Sequence, residues 1–352
     1  MRFLQVGLGY RSAAFHRVLA DWPGLANVGV VVRRHLSLPQ PVFTDLRQAI
    51  SATAPDFVLS FVPPPACAAI IGQVVDAGLP ILAETPPAGT VTELDALADL
   101  AKSGLVQVAE QYPRMPGHAA RRQLLSQGVI GELSQVQVSS TQTYHAMALI
   151  RSYLAVGQSG GAAMVAPDRP VLVRAARFSA GLVNPLSRAG WTDDPVVHQA
   201  GTVLASVDFG DGLSGVYDFT DQQTRNLLRT RRLLLRGSHG EISGDQLVRL
   251  SAPRLITTSF LQRRQTGHDL DVNGYASTQI TLGDQALWVS PWPNQRWNDD
   301  ELGIASLIAA MVDWVDGAGP APYPLAEAIY DTRLGLAIDE SVRTDMPVRL
   351  AA

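Results

Sequence analysis

Arg2-Phe3-Leu4-Gln5-Val6-Gly7-Leu8-Gly9-Tyr10-Arg11-Ser12, with Ala13 to Trp22 after it, decides how the first part of the chain folds. An apolar run of strand length, Phe3 to Val6, enters a turn with glycines at 7 and 9 and leaves it into a stretch of helical length. Gly7 permits the tight turn, Gly9 lets backbone approach a pyrophosphate, and Ser12 is a small residue where a third glycine would sit against the strand. The helix that follows offers unpaired N–H groups and the positive end of its dipole to phosphates. Gly7, Gly9, Tyr10, Arg11 and Ser12 are therefore expected to bind a dinucleotide. A glycine turn that only packs is the competing reading.

Outward from this turn, apolar runs of strand length alternate with helical stretches as far as Ala109, the pattern of a parallel sheet with helices on both faces. Strands are expected at Phe3 to Val6, Val28 to Val32, near Phe43, Phe57 to Val62, Ile81 to Ala83 and Val106 to Val108. Their lack of alternation fits strands covered on both faces. The expected fold is a doubly wound α/β domain over residues 1–115, followed by an α+β domain with an open, mainly antiparallel sheet over 116–352. At the end of the second strand, where an acid would accept hydrogen bonds from the adenosine ribose, stand Arg33 and Arg34. Guanidinium groups there can grip a 2′-phosphate, which favours NADP over NAD. A solvated basic edge is the alternative.

Two further motifs follow. After the fourth strand comes Val62-Pro63-Pro64-Pro65-Ala66-Cys67, and after the fifth Ala83-Glu84-Thr85-Pro86-Pro87-Ala88. With Gln127-Gly128-Val129-Ile130-Gly131-Glu132, Arg236-Gly237-Ser238-His239-Gly240-Glu241-Ile242 and a terminal helix pair from Glu301, the chain resembles the Gfo/Idh/MocA oxidoreductases nearly end to end. The resemblance implies a nicotinamide cofactor on the first domain, with Pro63, Glu84 and Thr85 at its edge, and a sugar, cyclitol or similar substrate against the open sheet of the second. Two departures stand out. Cys67 occupies the usual histidine place, and Thr85 replaces the lysine of the family's Glu-Lys-Pro tripeptide. Lys102, the chain's one lysine, falls on an expected surface helix. The family's aspartate four residues before a histidine is here Thr141 before His145.

The second domain opens with an amphipathic helix from Gly117 to Gln127 and a half-buried strand from Leu133 to Ser139. Thr141-Gln142-Thr143-Tyr144-His145 then leads into an apolar helical run. Strands follow at Val171 to Phe178, Thr202 to Phe209, Leu213 to Phe219 and Leu233 to Arg236, with weaker ones near Ile280 and Leu287. Gln262 to Gly274, charged and glycine-bearing without periodicity, is expected to be a mobile loop. Hydride transfer at a carbon bearing oxygen or nitrogen needs a proton donor or acceptor beside the heteroatom. His145 and Tyr144 are the candidates at the helix start, and Tyr112, after the sixth strand, is another. Each has a plainer alternative: a hydrogen-bonded core or capping histidine, a tyrosine that only buries its ring, an anchor between domains. Glu110 could cap or pair with Arg114. No spacing predicts a metal site.

Across 352 residues, 46% hydrophobic and 17% charged composition gives a sizeable core and too little charge for extended disorder. A formal charge of -4 gives no global attraction to nucleic acid or anionic lipid. One cysteine, Cys67, excludes a disulfide framework. No apolar stretch reaches membrane-spanning length and the start reads as a strand rather than a secretory leader, so a cytoplasmic location is expected. The expected partner is a small-molecule substrate, with a homodimer or homotetramer through the open sheet. The functional expectation is an NADP-dependent dehydrogenase or reductase acting on a small polar substrate, a sugar derivative by resemblance. An imine reductase of the same fold, and a nucleotide-binding or regulatory protein that has lost hydride chemistry, are the rivals.

Overall fold

The computed structural model describes residues 1–20, 22–34, 36–156, 170–187, 190–193, 196–267 and 275–351. The chain groups into two compact units. The first takes 1–116, 265–277 and 292–332, and the second 117–264, 278–291 and 333–352. After the change near residue 116 the chain thus returns to the first unit twice.

The first unit is a doubly wound α/β sheet. Its strands are β1 (Arg2–Val6), β2 (Ala26–Val31), β3 (Val42–Phe43), β4 (Phe57–Ser60), β5 (Ile81–Ala83) and β6 (Val106–Val108), in the order β3-β2-β1-β4-β5-β6. Every pairing in it is parallel. Helices α1 (Ser12–Ala20), α2 (Leu46–Thr53), α3 (Pro64–Asp76) and α4 (Val91–Ala101) connect the strands. The order reverses between β1 and β4, which is where ligands collect in open sheets of this kind. Phe57, Val58 and Leu59 of β4 and Ile81 and Leu82 of β5 are buried, as strands covered on both faces require. A 3-10 turn (Tyr112–Arg114) follows β6, and the later helix α7 (Asp299–Val315) starts with a capping box made by Asn298 and Glu301.

The second unit carries α5 (Pro116–Ser126), β7 (Leu133–Ser139), α6 (Thr143–Val156), β8 (Val171–Val183), the short pair β9 (Leu186–Ser187) and β10 (Gly190–Trp191), β11 (Val197–Gly210), β12 (Leu213–Thr220) and β13 (Arg232–Gly237). It continues through β14 (Gly240–Ser243), β15 (Gln246–Ala252), β16 (Leu255–Gln265), β17 (Ser277–Leu282), β18 (Gln285–Val289), the part of α8 (Leu325–Thr344) that follows Thr332, and β19 (Val348–Leu350). Eleven strands form one sheet in the order β18-β17-β16-β15-β14-β13-β7-β12-β11-β8-β19; β12 runs parallel to β7, while β17-β18, β16 through β13 to β7, and β12 through β11 and β8 to β19 pair antiparallel. Helix α6 covers the inner face: Ala146 to Ile150 are fully buried, and a Cβ on Gly215 of β12 would lie 2.9 Å from Ile150. The two quoted glycine motifs pack on each other. His239 donates its N–H to the carbonyl of Ile130 at 2.8 Å, and a Cβ on Gly237 would come 2.3 Å from that same oxygen.

One expectation is corrected. Gln262 to Gln265 do not begin a loop but complete β16, extending it beyond the stretch that pairs with β15, with β17 as its other neighbour in the sheet. The remainder, 268–274, lies outside the described residues.

Candidate functional site

In the first unit, β1 delivers the chain into the glycine turn at the switch point of the sheet. Gly7 holds φ at +87°, in the left-handed region, and donates its N–H to Val31 at 2.9 Å. A Cβ would lie 2.9 Å from the Phe61 carbonyl oxygen at Gly7 and 3.2 Å from it at Gly9, so both positions are shaped by backbone approach. Ser12, buried at the first residue of α1, closes the turn by donating its hydroxyl to the Gly9 carbonyl at 2.6 Å. Tyr10 projects outward, 72% exposed. This is a strand, a tight glycine turn and an open helix start in sequence, and its residues fit the pyrophosphate of a dinucleotide.

The turn is braced from beneath by a residue the sequence reading passed over. Gln5 is fully buried in β1, donates its amide N–H to the Gly7 carbonyl at 2.8 Å and accepts from Nε2 of His16 at 2.7 Å. Burial lowers the His16 pKa, so the ring is neutral near pH 7 and carries its proton on Nε2. Gln5 appears in the sequence only as a polar interruption of an apolar strand. A buried amide between two glycine-turn partners is the signal that could have marked it.

Arg33 and Arg34 come just after β2, past Val32, both exposed. Pro63 caps the start of α3. Cys67 is buried, and that burial, with the nearby charges of Glu84 and Glu93, pushes its thiol up to about 12. It is a neutral packing residue, not a nucleophile. At the second motif, Glu84 Oε1 accepts both the backbone N–H of Thr85 at 2.8 Å and its hydroxyl at 3.2 Å. Thr85 therefore turns back on its neighbour, and the Thr85-Pro86 bond is cis. Glu110 is buried and accepts the backbone N–H of Tyr112 at 3.0 Å, capping the turn in which Tyr112 sits half-buried.

In the second unit, α6 begins at Thr143 and holds Tyr144 and His145 in its first turn. Tyr144 is buried and meets the His145 ring edge-on, with centroids 5.3 Å apart, while His145 stays half-buried. Thr141, in the place of the family's aspartate, is buried, and its hydroxyl has no hydrogen-bond partner among the described residues. Thr143 donates to the Tyr217 hydroxyl at 3.2 Å, and burial pushes that phenol up to about 12. Tyr217 was also missed in the sequence, although its alternation within Gly215-Val216-Tyr217-Asp218 places it on the inner face with α6. Deeper along α6, Tyr153 is fully buried and pairs with His118 Nδ1 at 2.7 Å.

Each unit thus gathers its own share of the expected residues. The glycine turn, Arg33, Arg34, Pro63, Glu84, Thr85 and Tyr112 belong to the first, and Tyr144 and His145 to the second. Among the described residues no group of three or more His, Cys, Asp or Glu side chains could hold a metal ion, and no helix is long and apolar enough to cross a membrane.

No family model matches the chain, and no curated protein matches it. Solved structures do share its fold. An oxidoreductase from Agrobacterium radiobacter in complex with NAD+, L-tartaric acid and magnesium aligns over 99% of this chain and 98% of its own, with a TM-score of 0.68 and 14% identity. A myo-inositol dehydrogenase from Corynebacterium glutamicum aligns over 100% and 99%, with a TM-score of 0.63 and 14% identity. The chain has the two-part architecture of these oxidoreductases, and at such identity the likeness is one of fold.

Proposed function

We propose that the chain is an oxidoreductase of the Gfo/Idh/MocA type, holding a nicotinamide dinucleotide on its first unit and transferring hydride to or from a small polar substrate, a sugar or sugar derivative. The observation that carries this reading is the turn from Gly7 to Ser12, shaped by backbone approach at both glycines and placed at the sheet's switch point. A fold neighbour in complex with NAD+ supports the cofactor, and a myo-inositol dehydrogenase among the neighbours supports the substrate class. Arg33 and Arg34, exposed where an acid would meet the ribose, support NADP over NAD. Pro63, Glu84 and Thr85 would flank the cofactor's nicotinamide half.

When bound, the nicotinamide supplies or accepts the hydride. The chain's part is to hold the turn rigid and to move one proton at the substrate heteroatom. Thr85 cannot serve in the lysine's place, because its hydroxyl is given to Glu84 and carries no charge. Thr141 likewise supplies no acid. The proton therefore falls to the imidazole of His145, with the phenol of Tyr144 beside it as a hydrogen-bond donor to the reacting oxygen or nitrogen.

The test is consumption of NADPH against a panel of ketoses, oxidised cyclitols and cyclic imines. His145→Ala is expected to lower turnover by about 10²-fold or more with NADPH affinity unchanged. Full turnover by His145→Ala removes the histidine from the mechanism. NADPH binding with no turnover across the panel favours a protein that has kept its nucleotide and lost its hydride chemistry.

We propose further that a second copy of the chain covers the outward face of the large sheet. By strand register Phe178, Leu204, Ile256 and Phe260 share that face, and they are 58%, 44%, 70% and 58% exposed. Around Leu204, Arg174, Asp218 and Met346 line an open groove of about 570 Å³. Exposed apolar area of this kind on a sheet face favours burial against a partner. A dimeric or tetrameric mass at micromolar concentration is expected, and a monomer contradicts it.

A further inference from the structure

Arg11 stands in the dinucleotide turn itself, one residue before α1, and its side chain makes no hydrogen bond among the described residues. Nε and Nη2 are shielded from solvent and without an acceptor. The guanidinium lies over the ring of Phe15, 5.8 Å from its centroid. The carboxylate it faces is Asp300 in the first turn of α7, and the approach, Nη1 to Oδ1, is 4.0 Å, too long for a hydrogen bond. That oxygen is already taken, since Gln111 donates to it from Nε2 at 2.7 Å.

The neighbouring ionic groups are engaged. Arg17, the next cation along α1, donates to Glu301, and Glu301 also accepts the backbone N–H of Asn298 at 2.9 Å. Asp299 accepts from the hydroxyl of Ser277 at 2.6 Å. No acidic residue lies in the first turn of α1 to compete for Arg11. Shielding N–H groups of a cation from water without an acceptor is unfavourable, so the resting position of Arg11 is one that a better anion would draw it from. A phosphate offers two oxygens matched to the guanidinium fork, and the start of α1 is where a pyrophosphate settles in this fold.

We propose that Arg11 is the side-chain anion ligand of the turn, binding a pyrophosphate oxygen of the dinucleotide, and that Asp300 is the carboxylate that faces it in the absence of phosphate. This inference rests on the reading of the first unit as a dinucleotide site. Asp300 then competes with the cofactor for Arg11, so dinucleotide affinity is set jointly by the turn and by the first turn of α7.

The experiment is equilibrium titration of the full chain with NADPH and, separately, with ADP-ribose, which carries the pyrophosphate without the nicotinamide. Wild type is compared with Arg11→Ala, Arg11→Lys and Asp300→Asn, with melting of the free proteins as the check on folding. Arg11→Ala is expected to weaken both ligands by about ten-fold or more, and Arg11→Lys by less. Asp300→Asn is expected to tighten both by about two- to five-fold. The dependence of affinity on salt is expected to be shallower in Arg11→Ala than in wild type. Unchanged affinity in Arg11→Ala overturns the proposal, as does a loss confined to NADPH, which would place the arginine on the nicotinamide side. If Arg11→Ala does not fold, unchanged affinity in Asp300→Asn overturns it instead. A wild-type chain that binds neither ligand refutes the dinucleotide site itself, an outcome distinct from these.

Discussion

Gln5 shows how a single buried side chain can decide a site. An amide in the middle of a central strand costs free energy unless both its ends are satisfied, and here one end holds the Gly7 carbonyl and the other meets His16. Gln5→Leu keeps the volume, removes the donor to the Gly7 carbonyl and leaves the exposed His16 to pair with water. It is expected to weaken NADPH binding about five- to ten-fold, read by fluorescence titration, while Gln5→Glu, which can still accept from His16, is expected to recover only part of it. His118 carries a second prediction at this scale. Burial first, and then the charges of Arg121, Arg122 and Arg263, lower its pKa from 6.5 to about 3. The unfolded imidazole takes a proton as pH falls through 6.5, whereas the folded one does so only near 3. The stability it contributes is thus fully present above pH 6.5 and is lost as pH falls toward 3. Urea midpoints of wild type are expected to drop more steeply across that window than those of His118→Gln, and equal slopes would contradict the assignment.

At the scale of elements, the strands of the first sheet were legible because burial on both faces writes itself as short apolar runs between turn residues, as in Phe57 to Leu59 between Pro55 and Pro63 and Ile81 to Ala83 after Gly78 and Pro80. The glycine turn was legible for the same local reason. Strands β14 to β16 were not. Thr257, Thr258 and Ser259 give neither alternation nor an apolar run, and what makes them a strand is backbone pairing with Leu247 to Arg249, which no local pattern encodes. Of the candidate site, what was legible rests on chain order: the start of α6 falls at Thr143, with Tyr144 and His145 in its first turn. It was hidden where it rests on contacts between distant positions. Thr143 with Tyr217, and Arg11 with Asp300, are joined only by the fold. Thr85 was visible as a departure from the lysine motif, but its return onto Glu84 was not.

At the scale of the molecule, the division of labour follows from the two sheets. The parallel sheet of the first unit ends in a turn shaped for phosphates, while the large sheet of the second packs α6, with Tyr144 and His145 at its start, on one face and leaves apolar residues open on the other. The charge of -4 on 352 residues gives no global attraction to nucleic acid. Everything chemical in this reading depends on the turn from Gly7 to Ser12 receiving a dinucleotide. Calorimetric titration of the purified full chain with NADPH and with NADH measures that directly. Saturable binding of one dinucleotide per chain, tighter for NADPH and abolished by Gly9→Val, is the expected result; an absence of heat and of any rise in melting temperature with either nucleotide at millimolar concentration would contradict it.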